Sequence, residues 1–181
     1  MTGCPDFDRA ATMAYRCLLR LGVCTLPVHP ADVLRRCRET VVYTYRQAAE
    51  HLDMTESSFE AQYGHADAFT IRQGTRYIVC YREDGNPARR NFTLAHELGH
   101  IVMKHAHGSA TEEDEANCFA SHLLCPAFAV EGMPADDVAR ACYISRTAAN
   151  RIMEQRRGEP APEIAEALRK AFANENAMHE A

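Results

Sequence analysis

His96 and His100 stand four residues apart, and Glu97 follows the first of them. On an α-helix, positions i and i+4 share a face one turn apart, so both imidazoles can reach a single tetrahedral ion. The neighbouring residues ask for that helix. Asn86 or a neighbour supplies a cap, Pro87 suits the first turn, and Leu94, Leu98 and Ile101 form an apolar face beside the histidines. The expected helix runs from about 88 to 104. Gly99 sits inside it despite a cost of about 1 kcal/mol relative to alanine, which hints at close packing by a neighbouring element. In this arrangement His96 and His100 are metal ligands. Glu97 is the general base: zinc lowers the pKa of a water molecule from about 16 to about 7, and a carboxylate beside it takes the proton as the water attacks a carbonyl. An HExxHxxGxxH variant needs glycine at 103 and histidine at 106, where this chain has Met103 and Ala106. The third ligand therefore comes from elsewhere. His105 and His107 are expected to be exposed helix-end residues, suited to the negative end of the helix dipole.

A second helix is expected from Thr111, as its cap, to Leu124, stopped by Pro126. Its acidic first turn offers Glu112, Glu113, Asp114 and Glu115, and all four compete for the third ligand position. Periodicity places Glu115 best, one turn before Phe119 on the border of the inward side formed by Ala116, Phe119, Ala120, Leu123 and Leu124. Glu112 shares that face but lies near the fraying helix start.

The rest of the chain mixes helices with a few strands. Residues 8–21 carry apolar positions at helical spacing and end at Gly22. Pro30 opens a short helix to Cys37, and Val41–Tyr45 is β-branched and aromatic. Residues 47–58 read as helix or loop. Two strands, 68–72 and 77–82, form a hairpin around Gln73-Gly74-Thr75. Short helices follow at 134–142 and 145–157, with a last one beyond Gly158 that places Ile164, Leu168 and Phe172 on one packing stripe. The eight cysteines contain no CxxC pair, and a chain of 181 residues builds a core without staples, so they are expected to be reduced, buried and chemically inert. No basic-then-apolar leader and no membrane-length apolar run is visible, and a cytoplasmic location is expected. The net charge of −5 argues against nucleic-acid binding through bulk positive charge.

Three segments together resemble one family. Arg90-Asn91-Phe92-Thr93-Leu94-Ala95-His96-Glu97-Leu98-Gly99-His100, then Glu115-Ala116-Asn117-Cys118-Phe119-Ala120, then Leu123-Leu124-Cys125-Pro126 match the FTLAHELGH, EAxxFA and LLxP order of the ImmA/IrrE zinc metallopeptidases. Leu26–Pro30 and the segment from Ile144 to Arg151 are similar to that family too. The resemblance covers about residues 10–157, and Cys125 departs from it where an aliphatic residue or methionine is usual. It implies an α+β, zincin-like fold: a small, mostly antiparallel sheet against an HExxH helix and a Glu-bearing helix, with a helical C-terminal part. It also implies one zinc ion, Glu115 as third ligand by its place in the EAxxFA segment, and a metallopeptidase domain over 1–157 with 158–181 as a helical extension. The substrate it implies is a helix-turn-helix transcriptional repressor, cleaved in stress response or mobile-element regulation. The alternative is a zinc-containing regulatory protein that acts by docking a partner.

Other roles follow from position. Thr93 and Asn117 are candidates to orient the ligands. His122, Tyr143, Tyr77 and Tyr81 are candidates to stabilise developing negative charge. The strand Tyr77–Tyr81 precedes the metal helix and, by analogy with zincins, is expected to bind the substrate backbone. The arginine-bearing helix pair at 134–157 is expected to be scaffold rather than a DNA reader.

Overall fold

A computed structural model describes residues 4–64, 66–106 and 108–179. In chain order these form α1 (Phe7–Leu21), α2 (Pro30–Arg36), β1 (Thr40–Thr44), α3 (Tyr45–His51), α4 (Glu56–Tyr63), β2 (Ala68–Gln73) and β3 (Arg76–Tyr81). After them come α5 (Pro87–Met103), α6 (Ala110–Leu124), a 3-10 turn at Ala127–Ala129, α7 (Ala135–Cys142), α8 (Arg146–Gln155) and α9 (Pro162–His179). The class is α+β, as the sequence pattern implies. The undecided stretch at 47–58 resolves into α3, closed by a capping box at Thr44 and Gln47, and α4, capped by Thr55.

The sheet has the order β1-β3-β2. The expected hairpin forms the antiparallel β2–β3 pair, while β1 joins β3 in parallel, Thr40 opposite Tyr77 and Thr44 opposite Tyr81. The sheet is thus mixed, with β3 in its centre. The strand alternation then sorts side chains to two faces. Val79 and Tyr81 enter the main core with α5, whereas Cys80, Ile78, Tyr43 and Phe69 pack with Tyr45, Ala49 and Phe59 of α3 and α4. On β2, Ala68 faces the main core and Phe69 the other side. The same alternation turns Thr70 toward α5.

Helices α1, α5 and α6 form the centre of the main core, through Ala14, Leu18, Leu94, Leu98, Phe119 and Leu123. The Gly99 signal has its explanation here. A Cβ built on Gly99 would lie 3.2 Å from the Ala116 Cα and carbonyl oxygen and 3.2 Å from Phe119 Cδ1. Helix α6 therefore crosses α5 backbone against backbone at this point. The α6 cap differs from expectation. Ser109, not Thr111, accepts from the Glu112 N–H, and Glu112 returns the bond to the Ser109 N–H.

The helix beyond Gly158 belongs to the same core: Leu168 and Phe172 of α9 are buried, and Phe172 meets Phe128 edge to face at 5.3 Å. The linker before it is tied to α1 by the Glu159 N–H on Asp8 and the Ala161 N–H on Thr12. All eight cysteines, Cys4 to Cys142, are free thiols. Burial pushes Cys17 and Cys118 up to about 12, and a hydrogen bond with Cys142 together with burial pushes Cys125 up, so these thiols stay protonated at neutral pH. Among the described residues, no helix is long and apolar enough to cross a membrane.

Replacing Gly99 by valine puts a branched side chain into the α5–α6 crossing. The expected result is a net loss of about 1–3 kcal/mol in urea unfolding, despite the better helix propensity of valine.

Candidate metal centre

Helix α5 carries His96 and His100 on successive turns, with Glu97 next to the first, beside the buried Leu94–Leu98 stripe. The two imidazoles converge: His96 Nε2 and His100 Nε2 lie 2.9 Å apart. Glu113 of α6 faces both, with one carboxylate oxygen 3.3 Å from His96 Nε2 and the other 3.3 Å from His100 Nε2. A tetrahedral zinc ion at about 2.0–2.1 Å from its ligands places them about 3.3–3.4 Å apart, so the set has the size and the donor chemistry of such a site. Among the described residues, His96, His100 and Glu113 are the group of histidines and acids whose ligand atoms cluster in this way.

Glu115, which the sequence reading favours as third ligand, is not brought to the histidine pair. Helical geometry gives the reason. With about 100° per residue, Glu113 and Glu115 project about 160° apart, so only one of them can face α5 across the Gly99–Ala116 contact. Glu113 and Asn117, about 40° apart, take that side together. The other acids of the first turn have different work. Glu112 closes the capping box and accepts from the Ala106 N–H, while Asp114 lines a groove beside the site. The signal for Glu113 was in the sequence: it sits four residues before Asn117, the residue that reaches His96.

Asn117 makes the contact that an orienting residue needs. Its Oδ1 accepts from His96 Nδ1 at 3.0 Å, which leaves Nε2 as the free lone pair of that ring. Thr93 does not; its hydroxyl donates to the Arg89 carbonyl within α5. His105 overturns expectation as well. It is 6% exposed and lies between His100 and Glu115, with Nδ1 2.9 Å from His100 Nδ1 and Nε2 3.0 Å from Glu115 Oε2. The cause is Lys104, which ends α5 in the left-handed conformation at φ 60° and turns the chain back under the helix. His107 lies outside the described residues.

Glu97 is partly enclosed. Burial pushes its carboxyl above the usual range, opposed by a hydrogen bond from the Thr70 hydroxyl at 2.5 Å and by His96. Burial also pushes His100 below its ordinary value, followed in weight by His96, which favours the neutral ring that a metal needs. Thr70 of β2, an edge strand, reaches Glu97, whereas β3 with Tyr77–Tyr81 lies in the centre of the sheet. Among the described residues, no strand pairs with the outer edge of β2.

The four candidates for charge stabilisation make the following contacts. His122 is buried, pushed down to about 4 by desolvation, with Nε2 donating to the Arg157 carbonyl and Nδ1 unpartnered. Tyr143 ends α7 and meets His29, Tyr81 receives Arg35, and Tyr77 lies beneath Arg72. In the α7–α8 pair, Arg140 and Arg146 are matched to Asp137 and Asp136, and Arg156 donates to the Cys125 carbonyl. A groove of about 760 Å³ runs from Thr93 and Asn117 to Thr147 and Arg151 of α8.

The raised Glu97 pKa carries a stability consequence. A carboxyl whose folded pKa exceeds its unfolded value favours the native state below the unfolded pKa, and that advantage is lost as pH rises through the folded pKa. Ionised Glu97 therefore costs stability at neutral pH. In metal-free protein, Glu97→Gln is expected to melt higher than the unsubstituted chain at pH 7, with the gap closing as pH falls through the folded pKa toward the ordinary value of about 4.5.

The comparisons agree with this architecture. The peptidase M78 family model, described as the IrrE N-terminal-like domain, matches residues 47–140, just over half of the chain. No curated protein matches the sequence. The matched region runs from α3 into α7 and contains β2, β3 and both helices of the site. The chain belongs to the M78 peptidase family.

Proposed function

We propose that the protein is a zinc-dependent endopeptidase in which His96, His100 and Glu113 hold one metal ion and Glu97 is the general base. The observation that carries this reading is the convergence of three donor atoms at tetrahedral ligand spacing, one residue from a half-buried carboxylate, in a member of a peptidase family. Bound there, the ion supplies Lewis acidity that activates water and polarises a carbonyl. The protein's own contribution is positional. Asn117 fixes the His96 tautomer, and Thr70 holds one oxygen of Glu97 while its hydrophobic surroundings keep the carboxylate poorly solvated and basic. The unpaired edge of β2 suits an extended peptide added as a further strand, with its backbone brought past Thr70 to Glu97.

The substrate in this reading is a protein. Following the family resemblance, it is a helix-turn-helix repressor whose cleavage in the cytoplasm switches transcription. An edge strand that needs an extended segment restricts cleavage to an unfolded linker of such a repressor, which gives site specificity without a deep side-chain pocket.

Incubation with the helix-turn-helix repressor encoded beside it tests the reading. Zinc-loaded protein is expected to release two fragments, and a chelator to stop the cleavage. Glu97→Gln is expected to lower the rate about 10²–10⁴-fold while retaining the metal. Cleavage undiminished by that substitution refutes the assignment of the base. Metal analysis decides the third ligand: Glu113→Ala is expected to empty the site at micromolar zinc, while Glu115→Ala leaves it occupied but weakened.

A further inference from the structure

His100 has a second contact that the peptide-hydrolysis reading does not use. Its Nδ1 lies 2.9 Å from His105 Nδ1, the far side of His105 lies 3.0 Å from Glu115 Oε2, and Glu115 Oε1 accepts the Asp6 N–H at 2.8 Å. Both middle members are almost completely enclosed, with side-chain exposures of 6% for His105 and 9% for Glu115. Proton positions along this chain are dictated by what each atom can do. Both oxygens of a buried carboxylate accept, so the His105 hydrogen sits on Nε2. In a neutral His105 ring Nδ1 then bears a lone pair, and the hydrogen between the rings belongs to His100 Nδ1. His100 Nε2 is left with its lone pair directed at His96 and Glu113.

We propose that Glu115 and His105 are positioning residues that lock His100 in its Nδ1–H tautomer and hold the ring with Nε2 facing His96 and Glu113. As a metal-site inference this rests on the reading above; as a statement about tautomers it stands alone. The device joins three elements: the start of α1 through the Asp6 N–H, the turn after α5 through His105, and α6 through Glu115. It gives a function to the carboxylate that faces away from the ion. Asn117 serves His96 directly from α6, whereas His100 lies at the far end of the motif and is served through an intermediate ring.

Substitutions separate the links. Glu115→Gln keeps the shape but introduces an N–H group that opposes either the Asp6 N–H or the His105 Nε2–H. His105→Asn keeps an acceptor for His100 and loses the bond to Glu115. His105→Ala removes both.

The experiment uses the full chain in two forms. Long-range ¹H–¹⁵N spectra of the metal-free protein read the tautomers, and competition against a chromophoric chelator reads zinc affinity, with melting curves checking the fold. The expected spectra show Nδ1–H for His100 and Nε2–H for His105, with the His100 preference lost in Glu115→Gln and His105→Ala. Zinc affinity is expected to fall about 10–100-fold in each, no further in the double variant, and to recover in part in His105→Asn. A His100 tautomer unchanged in every variant overturns the proposal, as does unaltered zinc affinity in a folded His105→Ala protein. If the unsubstituted chain binds no zinc yet the tautomers respond as described, the positioning chain stands and the metallopeptidase reading fails.

Discussion

The contact on which the site depends is the crossing of α5 and α6 at Gly99 and Ala116. With no side chain on Gly99, the two backbones approach until a Cβ added there would sit 3.2 Å from three atoms of α6. At that separation a carboxylate on α6 reaches imidazoles on α5 directly, and Glu113 lies 3.3 Å from both rings. A side chain at 99 would press on the Ala116 backbone and the Phe119 ring, and the shift needed to admit it would move Glu113 relative to the imidazoles. A core contact and a ligand distance are here the same geometric quantity.

The crossing also fixes rotation. Once Ala116 lies under Gly99, every other residue of α6 has its direction. Glu113 and Asn117 face the histidine pair, Phe119 and Leu123 fill the core, and Glu115 turns toward His105. The polar groups around the crossing are held in connected sets. Asn117 pairs with His96, and Glu115 pairs with both His105 and the Asp6 N–H at the start of α1. Half-buried Glu97 is bonded to Thr70, yet burial still outweighs that bond. Its raised pKa marks a group held in an unfavourable ionisation environment, the kind of local cost that accompanies reactive sites.

Much of this was readable in advance. The i, i+4 histidines, their apolar flank and Pro87 define α5 within a residue of its ends, and the turn residues at 73–75 define the hairpin. Asn117 was readable as a candidate orienting residue, though not the histidine it contacts. Harder to read were features fixed by long-range pairing. The parallel alignment of β1 with β3 joins segments separated by two helices and another strand, and nothing local specifies it. The role of His105 depends on Lys104 adopting a left-handed conformation that most residues avoid, so a histidine that looks like a solvated helix end becomes enclosed.

The sequence by itself determined the HExxH helix, the acidic first turn of its partner and the family, because these rest on spacing along one helix and on short contiguous motifs. Only the tertiary structure decided which acid faces the histidines. Amphipathic periodicity resolves an inward from an outward side, but Glu113 and Glu115 flank the inward stripe on opposite shoulders. The choice between shoulders is made by the rotation of α6, which the Gly99–Ala116 approach sets.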